Sequence, residues 1–194
     1  MDIFKTIKQT KKYKQLSLKN LNFFIDKDSK RYNHILGVIK LANDMQIKIS
    51  LDNNDLYLAA LYHDIGYSEK LHNIGFHPID SAIKAYQDGV NLNTINAILC
   101  HTGAKGEAQL KDVSLSKYYS NVNEQNLLAK LLTYCDIHVN ANGEFVTLEE
   151  RLDDIFSRYK KNHLVYINIK NHIPYFNEID KFVSDIIKSN KGLL

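Results

Sequence analysis

The segment LYLAALYHD, residues 56–64, decides how this chain folds. Its first seven residues are apolar or aromatic, which predicts a buried helix. That helix ends in an imidazole and a carboxylate side by side, His63 and Asp64. A buried carboxylate is costly unless it is paired or binds a metal ion. The segment therefore predicts a polar site built into the core of a helical protein.

Residues with the same donor types lie on both sides of this pair, His34 before it and His77, His101 and Asp136 after it. Helical spacing places His34 and Asp136 on otherwise apolar faces, so we expect their side chains to point inward. Four imidazoles and two carboxylates suit one or two first-row transition ions. For each residue alone, a hydrogen-bonded core histidine, a helix cap or an ion pair is the simpler interpretation. The combination predicts a metal site.

The composition favours one helical domain. The chain has 194 residues, 44% of them hydrophobic and 24% charged, with only two prolines and eight glycines to mark turns. We expect an all-α, single-domain helical bundle. The predicted parts are an N-terminal helical extension over 1–28, a metal-binding helical domain over 29–161, and C-terminal helices over 162–194 that pack on the same domain.

Charge and cysteine content indicate a cytoplasmic protein with no nucleic-acid partner. The net charge is only +3, and we interpret the N-terminal lysines as a solvated helix face. They are Lys5, Lys8, Lys11, Lys12 and Lys14. Cys100 and Cys135 lie in apolar helical stretches, which favours buried, reduced thiols. Since no stretch is signal-like or reaches about 18 apolar residues, we expect no membrane association.

Capping residues, glycines and prolines predict the element boundaries. Helices are expected over about 29–45, 54–63, 77–89, 91–101, 124–139, 148–160 and 166–189. The first is capped by Asp28 or Ser29, the second within residues 52–54, and the fourth by Asn91 or Asn93. Loops are expected over 102–106 and 111–123, the second with room for a short ordered turn. Thr147 and Glu150 form a capping-box pair, and Pro174 is expected to break the last helix.

Three of these segments make the sequence resemble the HD-domain superfamily, whose members carry a histidine, a His-Asp pair and a distant aspartate on helices. They are RYNH (31–34), LYHDIG (61–66) and LLTYCD (131–136). A bacterial subgroup of metal-dependent phosphohydrolases is also similar at GFHPIDSA (75–82), HTGAKGEA (101–108) and VTLEERL (146–152). The resemblance covers roughly residues 30–160 and implies a helical fold.

The resemblance also implies roles for individual residues. A first metal would be bound by His34, His63, Asp64 and Asp136, and a second by His77 and His101 with Asp64 bridging the two. The cofactor is then one or two divalent ions of iron, manganese, zinc, cobalt or nickel. Many members have a lysine where this chain has Tyr67. Arg31, Lys105 and Tyr67 are therefore the candidates for binding substrate.

These roles predict a metal-dependent phosphohydrolase that acts on a nucleotide or another small phosphorylated compound. A metal-activated water would attack phosphorus, with Asp64 and His63 at the catalytic centre. One alternative is a dinuclear-iron oxygenase of the inositol-oxygenase-like type, which uses the same ligands. A second is a non-catalytic nucleotide-binding module, which the complete ligand set disfavours. Both a monomer and a homodimer are compatible with the sequence.

Overall fold

The computed structural model describes residues 13–49, 51 and 54–191, and these fold as helices. There are nine α-helices in this part of the chain: α1 (Leu21–Phe24), α2 (Lys30–Lys48), α3 (Asp55–Tyr62), α4 (His77–Gln87), α5 (Leu92–Cys100), α6 (Ala104–Lys111), α7 (Leu127–Ile137), α8 (Leu148–Arg158) and α9 (Leu164–Lys191). No strand forms among these residues, only an isolated bridge between Val139 and Phe145. The predicted all-α class is confirmed.

Helix α3 lies at the centre of the bundle. It packs against α2, α4, α5 and α7, and its residues Leu56, Ala59 and Ala60 have no exposed surface. The small alanine side chains allow neighbouring helices to approach closely. Because α3 is enclosed on several sides, its apolar sequence has no polar face, and the residues that follow it enter the core.

Short 3₁₀ turns follow the ends of the central helices. Residues Ile65–Tyr67 form such a turn after α3, and His101–Gly103 form another after α5. Both turns direct the histidine at the helix end toward the middle of the bundle. The site residues therefore come from helix ends as well as helix faces.

Several predicted helix starts are confirmed by their caps. Ser29 and Asn91 accept backbone hydrogen bonds at the starts of α2 and α5, and Thr147 with Glu150 forms the capping box of α8. Of the cap predicted over residues 52–54, Asn54 is the N-cap of α3 but makes no side-chain cap hydrogen bond. Residues 52 and 53 lie outside the described residues, as do the basic residues Lys5, Lys8, Lys11 and Lys12.

The loop expected over 102–106 is wrong, and the ordered turn expected within the loop over 111–123 is a seven-residue 3₁₀ helix. Residues 102–106 instead form part of a 3₁₀ turn and the start of α6. Within 111–123, residues Val113–Tyr119 form a 3₁₀ helix, because Leu115 and Tyr119 are buried against the core. Tertiary burial outweighs the polar composition there.

Pro174 does not break α9, which continues through it from Leu164 to Lys191. Proline leaves the carbonyl four residues earlier, that of Lys170, without its helical donor. Lys170 and Pro174 are both exposed, so water can take that hydrogen bond. The opposite face buries Ile169 and Phe176, which holds the helix together across the proline.

The C-terminal segment contacts the helices that precede it, since α9 packs against α6, α7 and α8. Cys100 and Cys135 are buried free thiols, as expected. In the part of the chain that is described, no helix is both long and apolar enough to cross a membrane.

Candidate metal centre

The structure brings all six predicted ligand residues together. Their donor atoms form two groups, and within each group they lie within 4.8 Å of one another. The first group is His34, His63 and Asp136, and the second is Asp64, His77 and His101. All except His77 are buried. The residues come from α2, α4 and α7 and from the turns that follow α3 and α5.

The turn after α3 is tied to the start of α4 through Ser81. The Ser81 hydroxyl accepts a hydrogen bond from Gly66 N at 2.8 Å and donates one to His63 O at 2.8 Å. A Cβ atom on Gly66 would lie 2.2 Å from the carbonyl oxygen of His77. Glycine is therefore required for α4 to approach closely enough to bring His77 beside Asp64.

The Asp64 carboxylate lies between the two groups. Its Oδ2 is 3.5 Å from His63 Nε2 and 3.9 Å from His34 Nε2. Its Oδ1 is 3.5 Å from His77 Nε2 and 3.8 Å from His101 Nε2. Each carboxylate oxygen thus faces one group, which is the geometry that a bridging ligand needs.

Backbone carbonyls determine the tautomers of three histidines. Nδ1 of His34, His63 and His101 lies 3.1, 2.7 and 2.5 Å from the carbonyl oxygens of Asn140, Ala60 and Ile98, respectively. A carbonyl only accepts, so each Nδ1 carries the proton. The Nε2 lone pairs then point into the centre, as in histidines that bind metals.

The arrangement fits a cation better than a set of structural hydrogen bonds. His63 has no exposed surface, and its Nε2 has no hydrogen-bond partner among the described residues. His34 Nε2 and Asp136 Oδ1, both acceptors in this tautomer, face each other at 2.9 Å. Two lone pairs at this distance repel each other unless a positive charge, such as a metal ion, binds between them. Imidazole nitrogens and carboxylate oxygens are ligands that suit first-row divalent ions.

In four of the six ligands, burial and neighbouring charges produce the protonation states that metal ligands require. His101 is the exception, because the nearby carboxylates raise its pKa. Burial lowers the pKa of His63 to about 4 and that of His77 well below its usual value. Burial alone would raise the pKa of Asp64, but the charges of Arg31 and His63 outweigh it and hold that pKa well below normal. The pKa of Asp136 is likewise lowered, since burial, which would raise it, is outweighed by the interactions with His34 and His63. Both carboxylates are charged near neutral pH.

Arg31 and Tyr67 form one wall of the centre. The Arg31 guanidinium donates to the Asp64 carboxylate and lies 4.0 Å over the Tyr67 ring. The other face of that ring stacks on His77, with centroids 4.1 Å apart and planes 16° apart. Tyr67 therefore holds the positions of a guanidinium and a ligand imidazole at the same time.

A cavity of about 110 Å³ opens beside Asp64. Sequence reasoning missed three charged residues that line it, Glu107 from α6 and Arg151 and Arg158 from α8. Lys105, expected here, lines a separate depression and lies 3.7 Å from Glu124. Residues two positions apart lie on opposite sides of a helix. Because Glu107 faces the cavity, Lys105 faces away from it.

Thr102 was also missed, and its backbone has the unusual φ of 51°. Its hydroxyl donates to the Asp136 carboxylate, and its backbone N–H donates to Thr133 Oγ1 at 3.2 Å. A positive φ in a residue other than glycine is uncommon and is maintained by surrounding contacts. Thr102 thus holds a ligand carboxylate in place from a turn that the sequence presents as a loop.

One comparison with known proteins gives a match. The family model described as HD domain matches residues 31–141, more than half of the chain. No curated protein and no solved structure matches the chain significantly. The matched segment contains all six residues of the centre and ends before α8 begins.

Proposed function

The chain belongs to the HD-domain family, and on that premise we propose that it is a metal-dependent phosphohydrolase acting on a nucleotide or another small phosphorylated compound. Members of this family are mostly metal-dependent phosphohydrolases. The supporting observation is the convergence of six ligand side chains, among them a buried His63 Nε2 with no hydrogen-bond partner in the described residues. A purely structural histidine would have such a partner.

The two groups of ligands would each hold one divalent ion. His34, His63 and Asp136 would hold the first, and His77 and His101 the second, with Asp64 between them. When bound, such ions activate water and neutralise charge on phosphoryl oxygens.

Arg31 is the residue best placed to bind the reacting phosphate. Its guanidinium contacts Asp64 and lines the cavity. A planar guanidinium donates two parallel hydrogen bonds to phosphate oxygens. Packing of the Tyr67 ring against Arg31 restricts the orientation of that plane and thus favours one approach for the phosphate.

Glu107 is the carboxyl group of the cavity that is not a predicted ligand. Burial raises its pKa, which favours the protonated form. A protonated carboxyl beside the reacting centre can donate its proton to the leaving oxygen. We assign Glu107 this role within the proposal.

The test combines elemental analysis of freshly purified protein with a phosphate-release screen. The screen covers nucleotides and phosphomonoesters with added manganese, iron, cobalt or nickel. His34→Gln is compared with His138→Gln, which changes a histidine whose ring pairs with Asp180 at 3.2 Å instead. We expect His34→Gln to lose metal and to lose activity by about 100-fold, and His138→Gln to keep both.

Two outcomes would reject the proposal. Full metal content and turnover in His34→Gln would show that the ligand assignment is wrong. Oxygen consumption without phosphate release by the metal-loaded wild type would favour the dinuclear-iron oxygenase.

A further inference from the structure

All three arginines of this chain line the cavity beside the metal ligands. The sequence has 25 lysines and arginines, and only Arg31, Arg151 and Arg158 are arginines. Of the lysines that the structure describes, none lines this cavity. A guanidinium binds phosphate through a rigid, planar pair of donors, whereas an ammonium acts as a point charge. The distribution indicates a built anion site rather than a generally basic surface.

One face of α8 presents two of these arginines. Arg151, Ile155 and Arg158 all line the cavity, and their spacings of four and three residues place them on the same side of the helix. Seven residues of helix correspond to roughly 10 Å. These three residues form one wall of the cavity, the α8 wall. The more buried Arg151 lies at its inner end and the more exposed Arg158 at its outer end.

Arg151 offers a buried donor. Its side chain is only 11% exposed, with Nη2 3.9 Å from Asp136 Oδ1 and Nη1 3.3 Å from Asp154 Oδ2. Its Nε has no hydrogen-bond partner within the described part of the chain. Buried N–H groups are normally paired, so the chain leaves part of the donor capacity of this cavity-lining guanidinium unused.

Arg158 lies nearer the solvent, with 43% of its side chain exposed and Nη2 2.9 Å from Asp154 Oδ2. Arg151 and Arg158 thus share one oxygen of a single carboxylate. Arg151 also lies 3.9 Å from Asp136 Oδ1, but Asp136 belongs to the proposed metal ligands. A bound ion would therefore leave both guanidinium groups sharing the single carboxylate of Asp154.

We propose that Arg151 and Arg158 form a second phosphate subsite, so that the preferred substrate carries two or more linked phosphates rather than one. This inference rests on the proposed function, in which Arg31 and the ions held by the metal ligands would bind the reacting phosphate. The cavity of about 110 Å³ is smaller than the roughly 300–1,000 Å³ of sites that enclose drug-sized ligands. The phosphate end of the substrate enters it, and the organic part remains at the mouth.

The experiment is calorimetric titration of the full-length protein with pyrophosphate and with orthophosphate. The protein is titrated with its bound metal, and only unbound metal is removed by gel filtration, because pyrophosphate itself binds free divalent ions. We expect the wild type to bind pyrophosphate about tenfold or more tightly than orthophosphate, and Arg158→Gln and Arg151→Gln to lose most of this preference. Lys40→Gln removes one positive charge from an exposed position on α2 and should leave the preference unchanged.

Arg158→Lys provides a second comparison, because it keeps the charge and removes the planar fork. We expect a preference between those of the wild type and Arg158→Gln. Arg158 is the last residue of α8, so its replacement leaves the core intact, which circular dichroism checks. The Arg158 results stand even where Arg151→Gln does not fold.

The subsite is rejected if the wild type binds both anions equally, or if folded Arg158→Gln keeps the full preference. The phosphate-release screen separates this result from the proposed function. A preference that depends on Arg158, without hydrolysis of any phosphate compound, leaves the subsite and rejects the hydrolase. Hydrolysis without such a preference supports the hydrolase and rejects the subsite.

Discussion

His77 Nε2 and His101 Nε2 lie 3.3 Å apart, one at the first residue of α4 and the other in the turn after α5. The same two atoms face Asp64 Oδ1 at 3.5 and 3.8 Å. His101 Nδ1 donates its proton in a hydrogen bond to a backbone carbonyl. The lone pair of His101 Nε2 therefore points toward His77 Nε2 and Asp64 Oδ1. A cation bound there would join α3, α4 and α5, so metal binding should be measurable as stability.

Metal binding is expected to raise the melting temperature, and Asp64→Asn should abolish that rise. At a metal concentration 100 times Kd, binding stabilises the folded state by about 2.7 kcal/mol. For a chain of this size that corresponds to about 5–10 °C. Differential scanning calorimetry with and without a chelator measures the shift. Asp185→Asn, which changes an exposed carboxylate on α9, is the control; an equal shift in Asp64→Asn would contradict the assigned role.

Gly66→Ala should damage both stability and the second ligand group. The added Cβ would meet His77 O at 2.2 Å and Ser81 N at 2.7 Å, so α4 must move away. Overpacking of this kind costs about 1–3 kcal/mol, and the bound metal per chain should fall as His77 moves. Urea unfolding and elemental analysis measure the two effects.

Gly89→Ala is the matched control at the other end of α4. A Cβ at Gly89 meets nothing within 4 Å, although its φ of 78° is strained for alanine. We expect a loss of about 1 kcal/mol there and unchanged metal content. Unaltered metal content in Gly66→Ala would show that the position of His77 does not depend on this glycine.

The metal-free protein should lose stability as the pH falls below about 6.5. Burial lowers the pKa of His63 from 6.5 to about 4 and also lowers that of His77. Below pH 6.5 the unfolded chain therefore binds more protons at these rings, so the free energy of unfolding decreases between about pH 6.5 and pH 4. For His101, burial would lower the pKa, but the negative charges of Asp64 and Asp136 outweigh it and the pKa is raised. The His101 ring therefore increases the free energy of unfolding as the pH falls, but two rings, those of His63 and His77, decrease it.

Urea unfolding near pH 7.5 and near pH 5 measures this dependence. His63→Gln should reduce it, and His72→Gln, which changes an exposed loop histidine, should leave it as in the wild type. An unchanged dependence in folded His63→Gln would exclude His63 as its source.

Asp88→Asn should be far more destabilising than a similar change at the surface. Asp88 pairs with Lys84, whose side chain is 1% exposed, and accepts hydrogen bonds from Tyr62 Oη at 2.7 Å and Leu16 N at 2.9 Å. Removing one partner of a buried ion pair costs about 3–5 kcal/mol. Urea unfolding measures the loss.

Glu178→Gln is the surface comparison. Glu178 lies 3.4 Å from Lys130 and is 60% exposed, and exposed pairs contribute about 0–1 kcal/mol. Equal losses in the two variants would mean that the Lys84–Asp88 pair is solvated in solution.

Local sequence was sufficient to predict most of the helices and the candidate ligands, but not α6, which lies between two predicted helices. The 3.6-residue period identified the buried faces that carry His34 and Asp136, and capping residues such as Ser29 identified the helix starts. It was insufficient at Pro174, because the burial of the opposite face of α9 decides whether the helix continues.

The sequence by itself determined the helical class and a set of six ligand-type side chains, since periodicity and residue type are properties of the local chain. Tertiary structure alone decided which other side chains line the cavity beside these ligands. Arg151 and Arg158 each pair with Asp154 within one helix, a pattern that in sequence is typical of a solvated surface. Lys105 adjoins a site residue in sequence but points away from it. Periodicity defines the faces of a helix, and only the packing of α8 and α6 against the centre selects the face that lines the cavity.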